Sequence, residues 1–177
     1  MLYYTMLYEY ECKIINVPIT ELRNKIEKNG GKRIHSSVLF RRYLFHLPNK
    51  NHNGFIRLRS EGRDRVTLTC KIFNSQSKYP KEYEIELKAD FDDAYHFLLN
   101  CGLKQKSYIE TKREKWSHPL VKEIVIDHWP GIEPYMEIDC ENEKNLQKAI
   151  KMFDIDKKHV YYEGVHELYK NKYNINK

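Results

Sequence analysis

Polar and apolar residues alternate with a period of two through most of this chain. Successive side chains of a strand point to opposite faces, so the alternation predicts strands and sorts their side chains by face. Residues 3–14 read as a first strand and 33–46 as a second. Residues 55–60 and 65–72 form a hairpin around Glu61-Gly62-Arg63-Asp64, and 81–88 is a fifth strand. Residues 104–116 and 121–128 meet at Ser117-His118-Pro119, and 135–141 follows a Trp129-Pro130-Gly131 turn as the eighth. Three segments show helical spacing instead. Pro18 and Thr20 open a helix that runs to Lys28 and ends at Gly30-Gly31. Asp90 caps a second, with Phe91, Ala94, Tyr95, Phe97, Leu98 and Cys101 on one face and Gly102 as its stop. A closing helix carries Leu146, Ala149, Ile150 and Phe153 on one side. Local antiparallel connections and few helices give an α+β chain whose sheet curls or closes to hide its edges.

The polar half of the alternation is mostly charge, and in most strands charge of one sign. Glu9, Glu11 and Lys13 oppose Tyr8, Tyr10, Cys12 and Ile14. Arg57 and Arg59 oppose Ile56 and Leu58. Arg65, Thr67, Thr69 and Lys71 oppose Val66, Leu68, Cys70 and Ile72, while Glu82, Glu84 and Glu86 oppose Tyr83, Ile85 and Leu87. Thr111, Arg113 and Lys115 share a face, as do Glu123 with Asp127 and Glu137 with Asp139. A solvated face would gain from mixing signs along each strand. Like charges two residues apart sit roughly 7 Å from each other and repel by about 2 kcal/mol at an effective dielectric near 20. Segregation by strand suits bound counter-ions: acidic rows for hard cations such as Mg²⁺ or Mn²⁺, basic rows for phosphate oxygens. Structural ion pairing between the strands is the competing use. The Arg41-Arg42 pair stays open, because neither alternating set of its strand is purely apolar.

These residues, in this order, resemble the CYTH domain, or triphosphate tunnel metalloenzyme superfamily. Glu9-Tyr10-Glu11-Cys12-Lys13 matches its E-x-E-x-K hallmark. Phe55-Ile56-Arg57-Leu58-Arg59 and Thr67-Leu68-Thr69-Cys70-Lys71 resemble its R-x-R and lysine strands, and Lys81-Glu82-Tyr83-Glu84 its fifth. Lys112-Arg113-Glu114-Lys115-Trp116, Ile126-Asp127 and Tyr135-Met136-Glu137-Ile138-Asp139 resemble the basic and acidic endings. Residues 129–135 and 167–173 are similar to the class IV adenylyl cyclase-like branch, which also groups with thiamine triphosphatase-like proteins. Asp139 departs from the pattern by standing where glutamate is usual. The resemblance implies a closed eight-stranded antiparallel β-barrel, a tunnel with helices packed outside, built as a single domain from residues 1–177. It implies Glu9, Glu11, Glu137 and Asp139 as metal ligands for Mg²⁺ or Mn²⁺. Lys13, Arg57, Arg59, Lys71 and Arg113 hold phosphate, and Glu82, Glu84 and Asp127 hold a second metal or orient water. Catalysis falls to Glu9, Glu11, Lys13 and Glu137.

Composition narrows the partners. A length of 177 residues suits one domain, and a net charge of +6 suits polyanions without naming one. No apolar run spans a bilayer and no secretory signal opens the chain, so a cytoplasmic location is expected, with no membrane partner. Cys12, Cys70, Cys101 and Cys140 lack zinc spacing and read as reduced, buried thiols. Trp116, Trp129 and the scattered histidines read as packing or surface groups. The expected activity is metal-dependent hydrolysis of inorganic tripolyphosphate, thiamine triphosphate or a nucleoside triphosphate. The alternatives are an adenylyl cyclase making cyclic AMP from ATP and a non-catalytic nucleotide or polyphosphate binder. The partner is a triphosphate-bearing small molecule, a long nucleic acid is not expected, and the protein is a monomer or homodimer.

Overall fold

The computed structural model describes residues 7–62 and 65–173. Ten strands and four helices follow in chain order: β1 (Leu7–Tyr8), β2 (Tyr10–Ile14), α1 (Ile19–Lys28), β3 (Lys32–His46), β4 (Asn53–Glu61), β5 (Arg65–Phe73), β6 (Lys81–Leu87) and α2 (Phe91–Asn100). Then come β7 (Gln105–Ser117), β8 (Glu123–His128), β9 (Tyr135–Cys140), α3 (Glu143–Met152), β10 (Val160–Tyr161) and α4 (Val165–Tyr173). The chain is α+β and its paired strands are antiparallel. The expected eight strands become ten. The first is broken at Glu9 into β1 and β2, and the short β10 had no alternating signal of its own. The first strand's predicted start at residues 3–6, and Arg63 and Asp64 of the hairpin turn, lie outside the described residues.

The chain divides into two compact units, and β3 and β7 contribute residues to both. Unit 1 holds Glu9 and the residues before it together with Val38–Thr111. Its strand order is β1-β6-β5-β4-β3-β7. The strands put Phe45 and Leu58 on one face, and α2 covers them with Phe91, Ala94 and Leu98. Asp90 caps α2 as expected, accepting from the Asp92 and Asp93 amides. Gly102 ends it in the left-handed region at φ 87°, a conformation that only glycine adopts without steric cost. Phe97 and Cys101 do not join the buried face: Phe97 is 68% exposed and Cys101 is exposed too. At 100° per residue, positions 91, 94, 95 and 98 form one stripe, and 97 and 101 fall off its edge. Among the thiols Cys12 and Cys140 are buried, Cys70 is half-buried and Cys101 is exposed, which corrects the expectation of four buried cysteines.

Unit 2 holds Tyr10–Ser37 and the chain from Lys112 onward. Its strand order is β3-β7-β8-β9-β2-β10. Two cross-strand rows build its apolar face: Trp116, Ile124, Ile138 and Cys12, then Glu114, Ile126, Met136 and Ile14. The helices α1 and α3 bury Leu22, Ile26, Leu146, Ala149 and Ile150, and both pack against β9. Glu114 is the exception on this face. The Arg23 guanidinium of α1 donates to its two oxygens at 3.2 and 2.8 Å, and Trp116 Nε1 donates at 2.7 Å.

Burial raises the Glu114 carboxyl, but the Arg23 and Trp116 donors outweigh it and hold the group below its ordinary value of 4.5. A depressed folded value means that the stabilisation is complete above the unfolded value and is lost as pH falls through the folded one. Stability is therefore expected to drop as pH falls below about 4.5, and Glu114→Gln to flatten that drop. Urea unfolding from pH 6 downward measures it; equal slopes for both proteins would refute the link.

Candidate functional site

The charged faces predicted from the alternation exist in both units; in unit 2 Glu11, Lys13, Arg113 and Asp127 are buried, and in unit 1 Arg42, Arg59, Thr67 and Thr69 are buried while Glu84 and Glu86 are exposed. In unit 1 the face runs in rows set by strand register. Leu44, Arg57, Thr69 and Glu84 are opposite one another across β3 to β6, and so are Arg42, Arg59, Thr67 and Glu86. Arg57 Nη2 donates to Thr69 Oγ1 at 3.1 Å and lies 3.3 Å from Glu84 and 3.5 Å from Glu82. Arg59 reaches Glu61 at 2.5 Å and Glu84 at 3.3 Å, and Thr69 Oγ1 donates to Glu84 at 2.8 Å. Lys71 pairs with Glu9 and, at 3.4 Å, with Glu82. Burial raises the Glu84 carboxyl, and Arg59 and Arg57 pull it net below its ordinary value.

The open question of the arginine pair has a clear answer. Arg42 shares the face of Arg59 and is 3% exposed. Arg41 points to the other face, with its guanidinium 4.6 Å from the centroid of the Phe91 ring. Lys81 also lies off the charged face, 5.9 Å from the Tyr8 ring.

In unit 2 the face collects Glu11 and Lys13 from β2, Glu137 and Asp139 from β9, Glu123 and Asp127 from β8, and Arg113 and Lys115 from β7. Lys13 Nζ stands between Glu11 at 3.1 Å and Glu137 at 3.2 Å, and the lysine is 3% exposed. Arg113 is clamped by Asp127, with Nε and Nη2 each donating at 2.6 Å to a different carboxylate oxygen. Trp129 Nε1 adds a donor to Asp127 at 3.3 Å. Burial alone would lower the Arg113 guanidinium, but Asp127 outweighs it and holds the group charged well above its ordinary range. Lys115 pairs with Glu123 at 2.5 Å and is partly exposed.

The carboxylates of β2 and β9 are under strain of a different kind. Burial and then the nearby Glu11 charge push Glu137 upward, against Lys13 and Arg113. Burial pushes Asp139 up to about 7 despite Lys122 at 3.1 Å, and its Oδ1 is buried without a hydrogen-bond partner. By chemistry these hard oxygen donors fit Mg²⁺ or Mn²⁺. Among the described residues, however, no three His, Cys, Asp or Glu side chains stand close enough together to hold a metal ion.

Of the predicted residues, Glu9, Arg57, Arg59, Lys71, Glu82 and Glu84 come together in unit 1. Glu11, Lys13, Arg113, Asp127, Glu137 and Asp139 come together in unit 2. Asp127, expected to hold a second metal or orient water, is taken up by Arg113. Glu61, which binds Arg59 and Arg65, was missed because the sequence alone places it in the hairpin turn, whereas β4 extends to it and keeps it on the face of Arg57 and Arg59. The tryptophans are packing groups as expected, each with its indole N–H on a buried carboxylate.

No family profile matches the sequence, and no curated protein matches it either. The fold has solved counterparts. The PH1012 protein of Pyrococcus horikoshii matches with a TM-score of 0.74 at 19% identity, over 90% of this chain and 98% of that one. A candidate adenylate cyclase of Vibrio parahaemolyticus gives 0.77 at 12% identity, over 93% and 98%. A candidate adenylyl cyclase of Hippeastrum, reported to have a dominant triphosphatase activity, gives 0.61 at 12% identity, over 97% and 98%. At such identities the fold is what is shared. Two of these three counterparts bear adenylate cyclase names. Among the described residues, no helix is long and apolar enough to cross a membrane.

Proposed function

We propose that this protein is a divalent-metal-dependent hydrolase of a triphosphate-bearing substrate, whether inorganic tripolyphosphate, thiamine triphosphate or a nucleoside triphosphate. One observation carries the reading: ionised side chains of these strand faces are buried in each unit. Lys13, Arg113 and Asp127 in unit 2 and Arg59 in unit 1 are each under 10% exposed. Withdrawing so many charges from water is costly, and well-packed apolar residues would often serve stability as well or better. Retaining them suits a face that handles a charged ligand.

Roles follow from the chemistry of each group. Glu11, Glu137 and Asp139 of unit 2 are the proposed ligands of Mg²⁺ or Mn²⁺, and Glu9 of unit 1 is a further candidate ligand. A metal held there would supply positive charge to offset the charge that develops on the phosphoryl oxygens during transfer. Arg57, Arg59 and Arg113 present forks to phosphate oxygens, and Lys13 and Lys71 present point charges. Their carboxylate partners now occupy positions that phosphate oxygens would take. Arg113, already fixed by Asp127, needs no reorganisation to meet an anion. Glu82 and Glu84 are the proposed groups to hold a second metal or orient the attacking water. Water attacks the terminal phosphorus, the anhydride P–O bond breaks, and orthophosphate leaves. The single domain over residues 1–177, a cytoplasmic location and a monomeric or homodimeric state belong to the same proposal.

The Vibrio parahaemolyticus counterpart favours a second reading. There the ribose 3′-hydroxyl of ATP attacks the α-phosphorus and pyrophosphate leaves. A third reading is binding without turnover. Incubation with tripolyphosphate or ATP and Mg²⁺ or Mn²⁺ separates them by product, and the expected product is orthophosphate, abolished by EDTA. Cyclic AMP with pyrophosphate would replace the proposal with the cyclase. Intact substrate would replace it with the binder.

A further inference from the structure

Two members of one row of the unit 1 face, Arg42 and Thr67, have no role in the reading above. Arg42 on β3 lies opposite Arg59 on β4, and Arg59 lies opposite Thr67 on β5. Directly opposed residues on neighbouring strands are about 5 Å apart, and like charges there repel. Burial sharpens that repulsion, because screening by water is lost. The arginine is nevertheless held in place: Arg42 Nη2 donates to the buried Thr111 Oγ1 at 2.7 Å. Phe40 and Leu44, two residues to either side of Arg42 on the same strand face, are buried. The third member of the row supplies an independent sign. Thr67 is wholly buried, and its hydroxyl has no hydrogen-bond partner. A buried hydroxyl in that state is unfavourable unless something arrives to satisfy it.

Two guanidinium forks and a hydroxyl donor, side by side on a buried face, match an anion with several acceptor oxygens. A phosphoryl group has that chemistry: its oxygens accept from Arg forks and from a threonine O–H together. We infer that Arg42 and Thr67, with Arg59 between them, form a further phosphoryl-binding row, Thr111 being the positioning residue that holds the Arg42 fork. The inference rests on the proposed triphosphate substrate and adds to it two contacts, Arg42 and Thr67, that the proposed function leaves without a role. Arg41 is excluded from the row by its place over Phe91 on the opposite face.

Calorimetric titration of tripolyphosphate in the presence of Mg²⁺ tests it on four proteins: wild type, Arg42→Lys, Thr67→Val and Thr67→Ser. Arg42→Lys keeps the charge and removes the fork. Thr67→Val keeps the shape and removes the hydroxyl. Each is expected to weaken binding about tenfold, the size of one charge-assisted hydrogen bond, while Thr67→Ser retains wild-type affinity. Loss of an unsatisfied hydroxyl leaves the ligand-free Tm of Thr67→Val unchanged or higher, whereas a structural hydroxyl would give a lower Tm at unchanged affinity. Wild-type protein that does not bind tripolyphosphate overturns the triphosphate reading itself. Wild type that binds, with Thr67→Val and Arg42→Lys binding equally well, overturns the row alone. If Arg42→Lys does not fold, the Thr67 pair decides.

Discussion

Replacing Asp127 with alanine is expected to lower the free energy of unfolding by about 3–5 kcal/mol, because it strands a buried guanidinium. Asp127 is 1% exposed, and both its oxygens bind Arg113 at 2.6 Å. The remaining acids near that guanidinium, Glu123 and Glu137, stand at 3.7 Å, beyond hydrogen-bond range. Asp127→Asn is expected to lose less, since one oxygen still accepts. Adding Arg113→Met to Asp127→Ala should restore most of the loss, because the desolvation cost leaves with the charge. Urea unfolding followed by tryptophan fluorescence measures all three proteins. A loss under about 1 kcal/mol for Asp127→Ala would mean that water or another acid takes over, and that Arg113 is not preorganised as argued.

The strand faces were legible because a period of two admits no ambiguity once one residue of a strand is placed. Arg57 and Arg59 had to oppose Ile56 and Leu58, and they do. What the alternation could not carry was information held elsewhere in the chain. Arg41 and Arg42 were indistinguishable locally; the choice is made by Phe91 of α2, which takes the Arg41 guanidinium over its ring. The break at Glu9 is set by its amide donating to Pro80 O, a partner far along the chain. Glu114 lies on the apolar face, because its neutralising Arg23 comes from α1, ninety-one residues earlier. The resemblance implies a metal or water role for Asp127, and its own strand says only that it is acidic. The arginine that occupies it belongs to the opposite strand, and register alone makes the pair. In each case the residue's type was read correctly, and its partner decided its use.

Glu137→Gln is expected to reduce phosphate release from tripolyphosphate about a hundredfold or more at saturating Mn²⁺, while leaving the protein at least as stable as wild type. The two effects point in opposite directions for one reason. Glu137 is buried beside Glu11, and burial with that like charge pushes its carboxyl upward. A neutral amide of the same shape relieves this repulsion, and Lys13 keeps Glu11 at 3.1 Å as a partner. The same amide is a poor ligand for a hard divalent cation, so an activity that depends on the metal falls. If Glu137 were simply the ion-pair partner of Lys13, at 3.2 Å, the pattern would reverse, with stability lost and turnover kept. Thermal melting and phosphate release measured on the same preparation distinguish the two. A lower Tm with turnover within threefold of wild type would return these carboxylates to a structural role.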